Sequence, residues 1–248
     1  MSKEIAKIEK SFILPILSES ESEDMSEEME GLEINFDRVK IPSGGSTAFE
    51  VPGDDPESPD IEKAITGVIV DKHAVNAYWV SSFDGNNVAP DCSSMDGKVG
   101  TGNPGCYCKD CEFNQYGSGE NGKGKACKNM FRIYILRSGE MFPILITLSP
   151  ASLRPFSDYM AKRILTKGHK SYGVLTKITL KKALSSGGIT YSQAQFTLLE
   201  TLTPDEIIKM KYFSENIKKI SRKFEINEAD NEEKTPEDTD QVSNETPF

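Results

Sequence analysis

The sequence predicts a mainly β fold with two helices, an α+β Greek-key barrel interrupted by a cysteine-rich loop and enclosed by acidic ends. Three observations predict it. Alternating and β-branched runs recur between residues 31 and 201, two segments carry helical periodicity with start and stop signals, and all five cysteines of the 248-residue chain fall between Cys92 and Cys127. With 37% hydrophobic residues and no apolar run near the ~18–20 residues of a bilayer span, the chain is expected to build one core, or one core with a small satellite, in water and away from membranes.

The elements follow in chain order. "GLEINFDRVKI" alternates Leu32, Ile34 and Phe36 with polar neighbours, and "AITGVIVDKHAVNAYWV" is a long β-branched run. "FRIYILRSG" turns at Ser138-Gly139 into "EMFPILITLS", a hairpin in form. A helix is expected from Ser152 to Thr166, with Leu153, Phe156, Met160 and Ile164 on one stripe and Gly168 as its stop. "GVLTKITLKKALSSGGITYSQAQFTLLE" repeats the hairpin scheme. A second helix opens at Thr203-Pro204-Asp205-Glu206, an N-cap, a proline at the first position and an acid at the third, and is expected to end near Arg222. Five or six strands with one internal helix resemble a small barrel of the oligonucleotide-binding (OB) type.

Charge divides the chain. Residues 1–30 hold three lysines against nine acids, and residues 224–248 hold one lysine against nine acids, so both are expected to be flexible. Although the whole chain carries −10, the segment from Lys98 to Lys182 sets fifteen Lys and Arg against five Asp and Glu. The expected organisation is an acidic segment 1–30, a core 31–223 with a cysteine loop at 90–130, and an acidic tail 224–248. No signal peptide or presequence is read at the N-terminus, since the apolar run Phe12–Leu17 is broken by Pro15 and followed by acids. The expected compartment is the reducing cytoplasm.

In such a compartment disulfides rarely persist, and five cysteines cannot all pair internally. Their flanks are Gly, Asn, Pro, Lys and Asp, which offer little apolar burial. Metal binding fits better. Cys108-Lys-Asp-Cys111 is a C-x₂-C pair that lets one tight turn present two thiolates to a tetrahedral Zn²⁺, with Cys92 and Cys127 completing a closed structural site and Cys106 left over. The glycine-rich loop then draws its folding free energy from the metal. A catalytic zinc would keep a position open beside a general base, yet His73 and His169 lie far from the cysteines in sequence. No H-E-x-x-H, G-x-S-x-G or phosphate-loop pattern occurs, so no enzymatic activity is expected.

A basic β body with aromatic residues matches what a single-strand nucleic-acid binder requires: cations track phosphates and rings stack bases. The candidates are Trp79, Tyr116, Lys123, Lys125, Lys128, Arg132, Tyr134 and Arg137, the last group alternating along one side of its strand while Phe131, Ile133 and Ile135 face the core.

The tail "NEADNEEKTPEDTDQVSNETPF" ends in Pro247-Phe248. It resembles the flexible acidic tail of replication single-stranded-DNA-binding proteins, whose terminal phenylalanine docks partner enzymes. A basic barrel with a zinc loop, a helix and an acidic tail is similar to the helix-destabilising proteins of large bacteriophages, although that group mixes histidine with its cysteine ligands. The resemblance implies a protein that coats single-stranded DNA in phage or mobile-element replication and recombination, and that recruits partner proteins through Pro247 and Phe248. A zinc-containing transcription accessory or assembly protein acting through protein contacts alone is the alternative.

Overall fold

In the computed structural model, residues 12–15, 35–53, 55, 58–80, 89–185, 188–223 and 226 are described. Strand β4 (Ala64–Tyr78), the predicted β-branched run, organises the sheet. Along Gly67–Ala77 it pairs antiparallel with β7 (Lys128–Arg137). On its other edge, Ala64–Val68 pairs with β9 (Val174–Leu184) and Asn76–Tyr78 with β5 (Cys92–Ser94), which in turn pairs with the short β6 (Thr101–Gly102). The second strand of each predicted hairpin follows: β8 (Ile144–Leu148) on β7, and β10 (Thr190–Thr201) on β9.

Gly67 sits where β4 is paired on both edges. A Cβ there would collide with the Leu136 carbonyl and Ile135, so only glycine allows β7 to approach this closely.

Of the predicted strand over 31–41, residues 31–34, Leu32 and Ile34 among them, lie outside the described residues. Among the described residues of that stretch Arg38–Val39 forms β1, parallel to β8, and Phe36 just before it is buried as a loop residue. The chain then turns through β2 (Phe49–Val51) and β3 (Asp60–Glu62), a separate two-stranded sheet whose Phe49 and Val51 fill one end of the core. The main sheet is thus mixed and, among the described residues, is joined by two α-helices, as the α+β reading expects. Among the described residues no ladder joins β10 to β1, so strand pairing does not close a barrel.

Helix α1 (Pro150–Tyr159) packs against β10. Its buried Ser152 Oγ accepts a 3.0 Å hydrogen bond from Ala194 N on the unpaired edge of β10, and Gln193 Nε2 donates to Ala151 O at 2.8 Å. Phe156 lies between Phe131 and Phe196, with ring centroids 5.2 and 5.1 Å away. A π turn, Met160–Ile164, and a 3₁₀ turn, Leu165–Lys167, continue the helix to Gly168, the predicted stop, whose φ of 73° needs glycine.

The sheet is buried on both faces. The inner face packs Ile65, Ile69, Ile133, Ile135, Ile146 and Ile178 with Phe156. The outer face is covered by helix α2 (Pro204–Ser221), which starts as predicted with Thr203 N donating to the Glu206 carboxylate at 2.7 Å. Its Met210 and Ile217 bury against Val68, Val70, Tyr134 and Leu136. Phe12 and Leu14, in the acidic N-terminal segment, pack on the same cluster, and Ile13 N donates to Ser138 Oγ at 2.8 Å.

A bulge in β4 between Ile69 and Asp71 sets what α2 meets. Strand side chains alternate, so one extra residue moves every later side chain to the opposite face. Val68 and Val70 precede the shift; Asp71, opposite Tyr134, and His73, opposite Arg132, follow it on the same outer face. Asp71 anchors the end of α2 by accepting from Ser221 Oγ at 2.6 Å and Arg222 Nη2 at 3.1 Å. Burial alone would raise the Asp71 carboxyl; contacts with His73, Ser221 and Arg222 outweigh it and hold the group well below the usual carboxylate range. His73 is pushed below its ordinary value, mainly by burial.

Both depressed groups favour the folded state above their unfolded values. That stability is lost as pH falls, first below the ordinary 6.5 of histidine and then below the ordinary 3.8 of aspartate, toward the lower folded values. Asp71→Asn is expected to cost about 2–3 kcal/mol at neutral pH, because it breaks a buried charged anchor. Urea unfolding should show the gap between variant and wild type narrowing below pH 4; an equal gap at every pH would contradict this role.

Candidate metal centre and nucleic-acid interface

The cysteines lie in a module inserted between β4 and β7. The segment has few apolar residues, so backbone hydrogen bonds and turns shape it. Asp96 accepts from Ser94 Oγ, Lys98 N and Val99 N at 2.7–3.1 Å, fixing the turn after β5, and the Lys98 N–H, foremost, holds its carboxyl low. Gly100 N then donates to Cys106 O at 2.9 Å, and Cys108 N to Lys98 O at 2.8 Å, which folds the Cys106–Cys108 segment back along Lys98–Gly100. Asn114 Nδ2 donates to Cys108 O at 2.7 Å across the C-x₂-C turn. Cys127 N donates to Phe113 O at 2.8 Å, and Phe113 stacks on Tyr78 at 4.3 Å, which fastens the module to the end of β4.

These constraints bring all five cysteines around one small cavity of about 10 Å³, walled also by Tyr78, Phe113 and Asn114. Cys108, Cys111 and Cys127 are buried, Cys92 and Cys106 half-buried, and none is in a disulfide. The thiols sense one another. Burial, followed by Cys108, Cys111 and Cys92, pushes the Cys127 thiol up to about 12; a hydrogen bond with Cys111, followed by burial and the same neighbours, pushes Cys106 up to about 11.

Cys106 therefore belongs to the cluster rather than standing apart. Gly100 lies against it: a Cβ there would stand 2.8 Å from Cys92 Sγ. Among the described residues, no group of three or more His, Cys, Asp or Glu side chains is set as it stands to hold a metal ion. A tetrahedral zinc site needs sulfurs about 2.3 Å from the metal, hence roughly 3.8 Å from one another.

The candidate nucleic-acid residues separate into two groups. Tyr116 is 62% exposed on the module and Lys123 is exposed beside it; Lys125 is half-buried, its Nζ donating to Asn114 Oδ1 at 3.4 Å. Lys128 is half-buried at the start of β7, and Trp79 is half-buried against Val75, Ala77, Met130 and Ile226. Pro247 and Phe248, the residues expected to recruit partners, lie outside the described residues.

The second group requires correction. Arg132 and Tyr134 have no exposed surface at all, so neither can meet a phosphate or a base. Their strand is central and α2 covers the face they share; Tyr134 packs edge-on against Phe36 at 4.9 Å, and its hydroxyl donates to Ser221 O at 3.3 Å. Arg137, at the strand end, is held by Glu62 at 2.9 Å and Glu140 at 2.5 Å, leaving little of its charge for a ligand. Alternation on β7 correctly separates two faces, but whether the second is solvent depends on where α2 docks.

A different basic surface was not read from the sequence. Between α1 and the β9–β10 hairpin runs a groove of about 500 Å³, bordered by Arg154, Lys162 and Arg163 from the helical segment and by Lys181, Tyr191 and Gln193 from the hairpin. The spacing Arg154, Asp158, Lys162 on the helix and the alternation Tyr191, Gln193, Gln195 on β10 would have marked the two walls; nothing local says that they face each other.

No protein-family model, curated protein or solved structure matches the chain. No helix among the described residues is long and apolar enough to cross a membrane.

Because Tyr134 is a packing residue, Tyr134→Ala is expected to lower stability by about 3–5 kcal/mol, the cost of removing a buried aromatic side chain. A denaturant midpoint unchanged by the substitution would contradict the assignment.

Proposed function

We propose that the protein binds and coats single-stranded DNA without catalysing a reaction, using a zinc-stapled module, and that its acidic tail serves protein partners in replication or recombination. The observation that carries this reading is the charge segregation. The segment Lys98–Lys182, fifteen cations against five acids, spans the cysteine module and much of the sheet, while eighteen acids crowd into the two ends. Exposed Tyr116 and Lys123 on the module supply the two contacts a flexible strand needs, a ring for a base and a cation for a phosphate. An OB-like barrel is the architecture we read: β4, β7 and β8 form an antiparallel meander, α1 leads to β9 and β10, and β4 also pairs with β9. In this reading α1 stands in the place where strand pairing stops.

The metal reading is supported by donor chemistry. Five cysteines from three segments of the module border one cavity, and deprotonated thiols packed together repel unless a cation compensates them. We assign Zn²⁺ to Cys92, Cys108, Cys111 and Cys127, with Cys106 beside them. Freshly purified protein is expected to hold about one equivalent of zinc. Cys111→Ser should release it and Cys106→Ser should retain it; less than half an equivalent in the wild type would overturn the assignment.

Binding is tested by salt titration with labelled single- and double-stranded oligonucleotides. Affinity for the single strand should fall steeply with salt, and replacing Lys123 and Lys128 by alanine should lower the slope of log K against log salt by about 0.7 for each phosphate that is no longer neutralised. Equal or tighter binding to blunt duplex would refute the reading. Ile226 packs with Val75, Ala77 and Met130, so a tail deletion should begin at residue 227. Its removal should tighten DNA binding at low salt, since a tethered polyanion competes with DNA for cations.

A further inference from the structure

The groove between α1 and the β9–β10 hairpin takes no part in the function proposed so far, yet it has the composition of a site. Its rim carries Arg154, Lys162, Arg163 and Lys181 against a single carboxylate, Asp158. Lys162 takes that carboxylate at 2.9 Å, and Arg154 also acts on it. Arg163 and Lys181 have no ion-pair partner among the described residues. The π turn Met160–Ile164 contributes directly, because a turn wider by one residue slows the helical rotation and keeps both Lys162 and Arg163 on the groove side.

The walls are firm. Tyr159 and Phe196 stack at 5.7 Å, and the Tyr159 hydroxyl is hydrogen-bonded to Thr176 Oγ1 at 2.7 Å. Gln195 Nε2 donates to Gln193 Oε1 at 3.2 Å, and Gln193 Nε2 to Ala151 O, a chain of amides that ties the hairpin to the first turn of α1. Tyr191, half-buried, offers a ring at the rim. The volume lies within the ~300–1,000 Å³ of ligand clefts.

We propose that this groove is a path for single-stranded DNA, with phosphates on Arg163, Lys181 and Arg154 and an unstacked base against Tyr191. The proposal rests on the single-strand assignment and adds a second surface, on the helical side, to the one on the cysteine module. Charge complementarity selects an anionic occupant, and the ring and amides select one that offers bases. A duplex keeps its bases inside a cylinder and cannot lay them in a cleft of this size, whereas a flexible strand can thread between a helix and a hairpin.

The test uses the full chain and a labelled oligothymidylate. The double charge reversal R163E/K181E is expected to weaken binding more than about tenfold at low salt and to make the salt slope shallower by about 1.4, while R163K/K181R keeps wild-type behaviour. Tyr191→Ala should weaken binding with the slope nearly unchanged. Photo-crosslinking with an iododeoxyuridine-bearing strand should mark Tyr191. If wild type does not bind the strand, the single-strand assignment and the groove fall together. If wild type binds and K123E/K128E weakens it, but R163E/K181E stays within twofold and Tyr191 is unmarked, the groove alone is overturned. Carbodiimide crosslinks from Lys181 to the acidic residues beyond 226 that persist at saturating oligonucleotide would also overturn it, assigning the groove to the protein's own tail.

Discussion

Strand β4 has to satisfy its backbone on both edges over fifteen residues, and the arrangement of the rest follows from how it does so. One edge is taken almost throughout by β7; the other is shared between β9 at the start and β5 at the end. The first partner brings the β9–β10 hairpin and, with it, the wall of the basic groove. The second brings the cysteine module. Two surfaces far apart in sequence are thus set by the two ends of one strand, and buried backbone groups leave little freedom to separate them.

The bulge between Ile69 and Asp71 gives the same strand two characters. Before it, isoleucines face the inner core and valines the outer one; after it, a carboxylate and an imidazole take the outer face. A buried carboxylate is costly unless charged partners and hydroxyls meet it, and the C-terminal end of α2 provides both in Ser221 and Arg222. Specific docking of α2 follows, because apolar contacts alone would allow the helix to slide. Covering that face removes Arg132 and Tyr134 from any ligand, whereas the cysteine module and the groove keep exposed cations.

The two surfaces are stabilised differently. The groove stands on ordinary core packing, with Phe156 fixed between Phe131 and Phe196. The module has few apolar contacts beyond the Tyr78–Phe113 stack and relies on turns, carbonyl acceptors and its clustered sulfurs. Loss of metal, in the zinc reading, would loosen the module while the sheet persists.

Local signals in the sequence settled the elements whose causes are local. The β-branched run of β4, the glycine turns of both hairpins, Gly168 as a left-handed stop and the Thr203–Glu206 capping pair each act within a few residues, and each stands where periodicity and turn chemistry place it. The clustering of cysteines about one centre was equally legible; that Cys106 borders the same cavity as the other four was not. Alternation on β7 separated Ile133 and Ile135 from Arg132 and Tyr134, but identified the second face as solvent. Only the tertiary structure decided that α2 lies on it, that α1 docks on the edge of β10, and that Arg163 and Lys181 border one groove. Burial of a strand's second face and juxtaposition across a cleft are properties of pairs of elements, and periodicity within one element carries no information about its partner.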